Sequence, residues 1–455
     1  MKGIQFFYCS SNKTIMGLIE MISSLPVVVV FMFFCCGLYP MSRWVFPKIK
    51  SRNTAAAVHM AYGAIMCFVL FGRIDGSLCV LYVIISYFLI TLPPLHASII
   101  SFILTMFSHL YIYLQGVSWA FDFTGFTMCL FQRVCSLSFN LEDGQKKAKG
   151  EKISEKWAAV ALDKKPTFLE FCAYGLTPYG SFCNPFIEFK LFDYILERGN
   201  HPDSSVTEED HKTAKFRFFG SFAHTVVVMI SLEYTNMDLY RSQFYLTKPL
   251  IIRLIILTLF TAVLVLRYFC TWWLVESGLY EFGLASSGIV ERDDISNLSL
   301  YSAMQSQTIQ DWMRRWNHTT HLFWKKYLFT RLLNKKFSAS FASTAVFVVS
   351  MSWHGCRPVF YMVLPETISL GKVDEYWNKK FPQTPNQPFW MTMLHRIWVV
   401  VAMMYTTSTW FFPWFKEFFE VRATVAFLPT LISIVLFVVL KFIPGKKRSS
   451  EKKNE

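Results

Sequence analysis

The sequence carries little charge for its length, and its cysteines form no pattern suited to disulfides or metal. Charged residues make up 17% of the 455 residues, whereas 53% are hydrophobic and 18% are aromatic. The eleven cysteines are an odd number, lie mostly within apolar runs and include no Cys-x-x-Cys pair. These absences argue against a soluble multidomain chain, a disulfide framework and a metal site, and they indicate a membrane protein.

Several motifs of acyl and lipid chemistry are also missing. No Gly-x-Ser-x-Gly elbow occurs, which argues against a serine hydrolase. None of the ten histidines has an aspartate five positions on, as soluble-type glycerolipid acyltransferases require, and no histidine boxes suggest a di-iron desaturase. Glycine-rich loops that cradle phosphates are absent too. The chemistry must therefore rest on other residues.

Long apolar runs dominate what is present. A run of roughly 20 residues can cross about 30 Å of hydrocarbon. By this length, the sequence predicts an all-α polytopic protein with about ten (eight to twelve) transmembrane helices. Residues 168–195 are aromatic but interrupted by glycines and prolines, which is typical of a re-entrant or discontinuous helix. The predicted spans are 16–39, 54–72, 77–92, 95–118, 123–140, 216–235, 249–275, 338–364, 390–413 and 422–443.

The first run and the basic patches bear on topology. Residues 16–39 have no cleavage pattern and are interpreted as a retained span rather than a signal peptide. The net charge of +14 lies in patches that flank spans, where Lys and Arg mark cytoplasmic loops rather than a nucleic-acid surface. If loop 43–52 is cytoplasmic, loop 142–165 is cytoplasmic too. Counting back from a cytoplasmic tail makes 276–337 luminal despite its basic end, and a half-membrane element would restore parity.

Six histidines lie in or beside apolar runs, where such residues are costly and mark either a function or a packed hydrogen bond. His354 stands in Ser352-Trp353-His354-Gly355, where a neutral imidazole could accept a hydroxyl proton and Gly355 would leave space for a substrate. A core histidine bonded to a backbone carbonyl is the alternative. The six are His59, His96, His109, His224, His354 and His395.

The segment upstream of His354 predicts one amphipathic helix at the membrane interface. Asn317 projects near the border between its faces, where an amide could reach into a cavity. The alternatives are a plain helix-flank residue and a glycosylation sequon, of the kind also present at Asn12 and Asn297. The aromatic face holds Trp312, Trp316, Phe323 and Tyr327, and the polar face holds Arg314, His318, His321 and Lys325.

Three segments together resemble the membrane-bound O-acyltransferase family. They are Trp316-Asn317-His318-Thr319-Thr320, Trp324-Lys325-Lys326-Tyr327, and Trp353-His354-Gly355 followed by Pro358 and Tyr361. The interval between Asn317 and His354 is similar to that between the Asn and His of the family.

Other segments look like the lysophospholipid acyltransferase branch of that family, so that the resemblance extends from about residue 120 to 365. Two places depart from the branch: Cys183-Asn184-Pro185-Phe186, where Gly-Pro is usual, and Cys356-Arg357 after Gly355. The branch-like segments are Phe121-Asp122-Phe123-Thr124-Gly125, Leu141-Glu142-Asp143-Gly144 and Pro166-Thr167-Phe168-Leu169-Glu170.

The resemblance implies transfer of a fatty acyl group from acyl-CoA to the free hydroxyl of a lysophospholipid, as in phospholipid remodelling. His354 would be the catalytic base and Asn317 would orient the acceptor or stabilise the oxyanion. Acyl-CoA would be a co-substrate, and neither a metal nor another cofactor is expected. Residues 1–445 would form a single integral membrane domain.

Further residues are candidates for substrate contact. Arg314, Lys325 and Lys326 suit the phosphates of CoA, although a solvated face or lipid headgroups would explain them equally well. Aromatic side chains could line an acyl channel or simply pack. These are Trp316, Phe323, Trp353 and Tyr361.

The sequence is also compatible with other functions, and its tail predicts a cellular location. The same apparatus could acylate a sterol, a diacylglycerol or a protein, and a transporter or non-catalytic scaffold would also contain broken helices and buried histidines. The tail 446–455 carries Lys452 and Lys453, which resemble a dilysine retrieval signal and predict an endoplasmic reticulum membrane protein with a cytoplasmic C-terminus. The expected partners are acyl-CoA, lysophospholipid and the bilayer, without nucleic acid; a homo-oligomer is compatible with the sequence.

Overall fold

The computed structural model describes residues 27–116, 122–183, 185–231, 237–297, 305–381, 387–412 and 414–442. Within these ranges all regular elements are helical, which confirms the predicted all-α class. The α-helices are Val27–Cys36, Leu38–Pro40, Arg52–Leu89, Pro94–Leu114, Thr124–Ala148, Glu155–Ala158, Phe168–Leu176, Phe189–Leu196, Glu208–Ser231, Met237–Arg241, Gln243–Leu246, Leu250–Glu281, Ile309–Arg315, His318–Trp324, Thr330–Asn334, Ala339–Trp353, Val363–Lys380, Phe389–Thr407, Phe415–Thr424 and Leu428–Phe442.

Short π and 3₁₀ turns join several of these helices. Two π segments, Met41–Val45 and Lys325–Phe329, widen the helical turn locally. The 3₁₀ segments are Phe46–Lys48, Arg198–Asn200, Asp203–Ser205, Leu284–Ser286, Arg292–Ile295, Pro358–Met362 and Ser408–Phe411.

The helical segment Arg52–Leu89 reverses direction at Gly72. The φ of 78° and ψ of −173° at Gly72 lie in a region that is essentially restricted to glycine. A Cβ built on Gly76 would lie 2.9 Å from the carbonyl oxygen of Cys67, a contact that a straight helix cannot make across nine residues. The segment is therefore a hairpin of two antiparallel helices. The two runs predicted at 54–72 and 77–92 correspond to its two arms.

The predicted discontinuous helix at 168–195 is confirmed. Thr167 caps the helix Phe168–Leu176 through a reciprocal capping box with Glu170, and a second short helix follows at Phe189–Leu196. The irregular chain between them is bonded within the protein, because Arg133 Nη2 donates to the carbonyl oxygen of Tyr179 at 2.8 Å. The broken segment thus contacts protein rather than lipid.

Contacts between loops place the basic segments on one face of the molecule. Arg52 forms ion pairs with Glu170 and Glu197, next to the start of the broken segment. Lys165 lies 3.8 Å from the centre of the Tyr87 ring, at the end of the second hairpin arm. Both ends of the hairpin are therefore on the same side, and the loop that ends at Lys165 lies there too.

The basic segment 325–336 joins this face. Arg331 Nη2 donates to Asp143 Oδ2 at 2.5 Å, and its guanidinium lies 4.4 Å from the Trp157 ring. Asp143 and Trp157 belong to the region 142–165, so 325–336 lies on the same side as that loop. If 142–165 is cytoplasmic, the end of 276–337 is therefore cytoplasmic too, as its basic residues indicate.

Fewer helices meet the length and hydropathy criteria for a span than the ten spans predicted from the sequence. In the part of the chain that is described, four helical segments are long and apolar enough to cross a membrane, or five if the bent pair Phe415–Thr424 and Leu428–Phe442 counts as one span. The Gly72 hairpin is one of the four and supplies two arms. The run predicted at 338–364 is interrupted after Trp353, because a 3₁₀ turn and a second helix follow.

Some predictions fall on residues outside the described ranges. These are the beginning of the first span at 16–26, the sequon at Asn12, Phe121, Asn184 and the tail with Lys452 and Lys453.

Candidate active site

His354 stands at the end of the helix Ala339–Trp353. Gly355 follows with a φ of 121°, a conformation that side chains disfavour, and a Cβ built there would lie 2.9 Å from Nδ1 of His109. The space beside Gly355 is thus filled by His109, rather than left open for a substrate as the sequence suggested. Gly355 lets the chain turn sharply around the His109 ring.

Two indoles hold the imidazole of His354. Its ring centre lies 4.9 Å from that of Trp353 and 4.5 Å from that of Trp410. Nowhere in the described ranges does a side chain or backbone group hydrogen-bond to the His354 ring. Both ring nitrogens are therefore available to a substrate, while the ring faces are packed against aromatic carbon.

The remaining apolar histidines are placed differently. His59 bonds to the hydroxyl of Thr177 at 2.9 Å, His109 donates from Nε2 to the carbonyl oxygen of Trp353 at 3.0 Å, and His395 pairs with Asp374 at 2.6 Å. His96 is exposed, and His224 lies in the middle of a helix with its ring 4.6 Å from that of Trp273. His109, and not His354, is thus the core histidine that is bonded to a backbone carbonyl.

Asn317 lies at a break between two helices, so the prediction of one continuous amphipathic helix is wrong. The helix Ile309–Arg315 ends before Trp316, and Asn317 adopts φ 46° and ψ 52° before the helix His318–Trp324 begins. Asparagine tolerates this left-handed conformation better than most residues. Phe323 and Tyr327 of the predicted aromatic face are buried in an aromatic cluster inside the protein.

A buried relay fixes the start of the helix after Asn317. Oδ1 of Asn297, which is fully buried, accepts from the backbone N–H of Thr319 at 3.0 Å and from its hydroxyl at 3.1 Å. The Thr319 hydroxyl oxygen in turn accepts from the backbone N–H of Phe186 at 2.9 Å. The backbone N–H of Asn297 donates to Glu276, a buried carboxylate paired with Arg217.

The second residue of that helix is anchored as well. His318 donates from Nδ1 to the carbonyl oxygen of Arg314 at 2.9 Å and from Nε2 to Asp294 at 3.1 Å. Burial disfavours the charged ring, but these two acceptors prevail and raise the pKa of His318 above its ordinary value. The imidazolium thus fits a site in which both nitrogens donate.

Aromatic contacts bring the surroundings of Asn317 and His354 together. Trp316 packs on Tyr268, with ring centres 5.7 Å apart, and Tyr268 also contacts Phe411 at 6.5 Å. Phe411 follows Trp410, which covers His354. On another side, Trp324 contacts Trp353 at 5.8 Å, which links the helix that starts at Asn317 to the helix that ends at His354.

The other predicted contact residues divide into packed and exposed groups. Trp353 is 2% exposed and donates from Nε1 to the carbonyl oxygen of Met128, and Phe323 is 1% exposed, so both are packing residues in the described structure. Tyr361 donates to the hydroxyl of Ser352 at 3.2 Å. Arg314 and Lys325 are exposed.

Lys326, in contrast, already has a protein counterion. Its Nζ lies 2.9 Å from Oε1 of the buried carboxylate of Glu188, which also accepts a hydrogen bond from Tyr327. Asn140 completes the network by donating to Glu188 at 3.1 Å. Arg314 also has a counterion, because its Nη2 lies 3.8 Å from Oδ1 of Asp311, although the Arg314 side chain is exposed. Among the described residues, a phosphate contact is therefore best supported for Lys325 and least supported for Lys326.

Sequence reasoning missed several residues that shape this region. Trp410, Glu188 and Asn297 belong to no motif, and the sequence around Asn297 matched only a sequon. A fully buried asparagine amide is not presented for glycosylation in the folded protein. Only the spatial meeting of distant segments reveals these residues.

Comparison with known proteins gives a family match that covers this region. A model of the MBOAT family, the membrane-bound O-acyltransferases, matches residues 110–411, which include Asn317 and His354. The mouse protein named membrane-bound glycerophospholipid O-acyltransferase 2 is 22% identical over 374 residues, which is 76% of this chain and 70% of that protein.

Two further relatives show the same level of similarity. The chicken membrane-bound glycerophospholipid O-acyltransferase 2 is 25% identical over 56% of this chain and 51% of its own length. Lysophospholipid acyltransferase 5 of Drosophila melanogaster is 23% identical over 71% of this chain and 66% of its own length. The matched part thus spans between about half and 70% of these relatives.

The family model covers well over half of the chain, and the relatives are named as acyltransferases. The O-acyltransferase class and the multi-pass membrane architecture predicted from the sequence are confirmed. The chain belongs to the membrane-bound O-acyltransferase family.

Proposed function

We propose that this protein transfers a fatty acyl group from acyl-CoA to the free hydroxyl of a lysophospholipid. The observation that carries the proposal is the His354 imidazole, which is enclosed by two indoles and has both nitrogens unbonded within the described structure. The relatives are named as glycerophospholipid and lysophospholipid acyltransferases, which supports the acceptor class.

The reaction needs one base and one group that stabilises negative charge. His354 takes the proton of the acceptor hydroxyl as its oxygen attacks the thioester carbonyl, and the imidazolium then returns the proton to the departing CoA thiolate. General-base catalysis of this kind contributes about 10² to 10⁴ in rate. The products are a diacyl phospholipid and CoA, without a covalent acyl-enzyme.

Asn317 supplies the complementary group. Its left-handed backbone sets the side chain at the break between two helices. The amide would donate to the oxyanion that forms on the thioester carbonyl or orient the acceptor hydroxyl; loss of one such donor costs about 10² to 10³ in kcat in other enzymes.

Charged residues near the site support acyl-CoA as the donor. Arg314 and Lys325 are exposed on either side of Asn317 and can contact phosphate oxygens. Lys325 begins the basic segment 325–336, which lies on the same face as the region 142–165. A polar, phosphate-rich donor would approach from that face.

The location also belongs to the proposal. Lysines at 452 and 453 match a dilysine retrieval signal, which acts in the cytoplasm and supports residence in the endoplasmic reticulum. Replacing both by serine is expected to release the protein to the Golgi. Unchanged localisation would show that retention does not use these lysines.

An acceptor panel tests the function. Purified protein in lipid nanodiscs is given labelled acyl-CoA with lysophosphatidylcholine, lysophosphatidylethanolamine, a sterol or a diacylglycerol, and products are identified by mass spectrometry. We expect phospholipid product from at least one lysophospholipid and little from the other acceptors. Preferential acylation of the sterol or diacylglycerol would overturn the acceptor class while leaving the family membership intact.

A further inference from the structure

We propose that Trp410 is the positioning residue for His354, and that Arg422 holds Trp410 in place through its hydrogen bonds to the two preceding residues. The inference rests on the proposed function, because it concerns the orientation of the base in that reaction. It assigns a role to a segment that contains none of the family-like motifs.

Aromatic rings surround the imidazole of His354. In the Ser-His-Asp arrangement, a carboxylate hydrogen-bonded to one imidazole nitrogen fixes the tautomer and the orientation of the base. Within the described ranges, no acid or carbonyl does this for His354; its ring packs instead on the indoles of Trp353 and Trp410. Rotation about the side-chain bonds of His354 is therefore restricted by ring packing.

The two indoles do not contribute equally. Trp353 precedes His354 in the chain and is locked elsewhere, with its Nε1 bonded to Met128. Trp410 comes from a distant segment and lies closer, at 4.5 Å with an interplanar angle of 52°, and its other neighbour is Phe360 at 4.7 Å. Trp410 is thus wedged between His354 and Phe360, where it restricts the ring of His354 from outside its own helix.

Trp410 is supported by hydrogen bonds to the two residues that precede it. It belongs to the 3₁₀ segment Ser408–Phe411, whose first two residues are fully buried and bonded to one guanidinium. Arg422 donates from Nη1 to the Ser408 hydroxyl at 2.6 Å and from Nη2 to the Thr409 hydroxyl at 2.8 Å. Its guanidinium also stacks at 3.7 Å from the centre of the Tyr405 ring.

Arg422 is itself fixed by charge. It is 1% exposed, and Nη2 lies 3.2 Å from Oε2 of Glu366, a residue of the helix Val363–Lys380. A buried ion pair is a poor source of net stability, but it imposes a defined geometry because either charge alone would be costly. A buried guanidinium that pairs with the partly buried Glu366 and donates to the two residues before Trp410 therefore fits a positioning role.

The test compares graded changes at Trp410 in the purified, full-length protein. Trp410→Ala removes the ring contact, whereas Trp410→Phe keeps an aromatic face against His354. Misplacement of a catalytic group by about 1 Å can cost about 10²-fold in rate, so Trp410→Ala is expected to lower kcat about 10- to 100-fold on that basis. The KM values for acyl-CoA and lysophospholipid should stay within about twofold, since substrate binding is not the affected step.

Controls separate positioning from folding. Trp390→Ala removes an indole that is 66% exposed on the outside of the helix Phe389–Thr407 and should leave kcat unchanged. Trp410→Phe should restore most of the lost kcat. Thr409→Val removes one acceptor of Arg422 without touching the indole, and it should lower kcat in the same direction but by less.

The outcomes distinguish this inference from the proposed function. Wild-type kcat in a folded Trp410→Ala variant, with His354→Ala inactive, would overturn the positioning role alone. A rise in KM with unchanged kcat would instead make Trp410 a substrate-binding residue and overturn it too. If His354→Ala remained active, the proposed function itself would fail.

Discussion

At the scale of single residues, Asn297 and Asn317 show how one side chain can prepare the conformation of another. Asn317 begins its helix in a left-handed conformation, which depends on support from neighbouring groups. Asn297 provides that support two residues further on, by accepting both the backbone and hydroxyl donors of Thr319. The amide of Asn297 thus holds the helix start that presents Asn317.

Replacing Asn297 by alanine tests this support. The change leaves two buried donors of Thr319 without an acceptor, and each such group costs about 1–3 kcal/mol. We expect a lower melting temperature in detergent and a reduced kcat. Asn53→Ala, which removes an exposed asparagine at a helix start, is the matched control and should change neither. Equal melting temperatures for the two variants would contradict the account.

Gly355, also at the scale of a single residue, has a different role from the one that its motif suggested. The sequence suggested room for a substrate, whereas the structure fills that room with His109. Sequence alone does not bring residue 109 next to residue 355. The packing partner of a motif residue is a tertiary property.

At the scale of elements, the Gly72 hairpin explains why an uninterrupted helical segment is two spans. Its first arm has about 20 residues, which corresponds to roughly 30 Å of helix, enough to cross the hydrocarbon region. The reversal requires a backbone conformation at Gly72 that other residues resist. The hairpin therefore requires a glycine at position 72.

The hairpin offers a clean comparison between two glycines. A Cβ at Gly72 or at Gly371 would meet nothing within 4 Å, so neither substitution causes a clash. Gly72→Ala is expected to destabilise by about 1–3 kcal/mol through backbone strain. Gly371→Ala, inside the helix Val363–Lys380, is expected to be neutral or stabilising by about 0.5–1 kcal/mol. Thermal unfolding of both variants decides, and the opposite order would refute the hairpin.

The elements also show how far sequence reasoning reached. The hairpin arms and the broken segment 168–195 were predicted because hydropathy and interrupting Gly and Pro residues are local signals. The break at Asn317 was not, because the 3.6-residue pattern of aromatic side chains continues through it. A left-handed residue costs little in such a pattern when buried bonds from Asn297 and Glu276 compensate, and these bonds come from distant segments.

Some residues of the candidate site could be predicted from the sequence and others could not. Asn317 and His354 were chosen from motifs whose residue types and interval resemble a family, and their roles stay predictions. Trp410, Arg422 and Glu366 carry no local signal, since an aromatic or charged residue near an apolar run has many explanations. Their meaning depends on which segments meet around His354.

At the scale of the whole molecule, three basic segments share one face. Loop 43–52, the region 142–165 and the segment 325–336 are joined by contacts of Arg52, Lys165 and Arg331. The Gly72 turn lies at the far end of the hairpin from this face. The basic end of 276–337 therefore lies on the same face as the region 142–165.

Cysteine labelling in sealed microsomes tests this arrangement. Lys147→Cys and Lys335→Cys, both at exposed positions, should react with a membrane-impermeant maleimide from the same side. Arg73→Cys, exposed at the hairpin turn, should react only from the other side. Labelling is compared with the unsubstituted protein. Opposite accessibility of positions 147 and 335 would contradict the shared face.

The central claim is that His354 acts as the base in acyl transfer to a lysophospholipid, and one measurement addresses it most directly. Turnover of labelled acyl-CoA with lysophospholipid is measured for His354→Ala and for His96→Ala, which removes an exposed histidine. With both variants folded, we expect the first to lose at least about 10²-fold in kcat and the second to match the wild type. Substantial turnover by folded His354→Ala would contradict the claim.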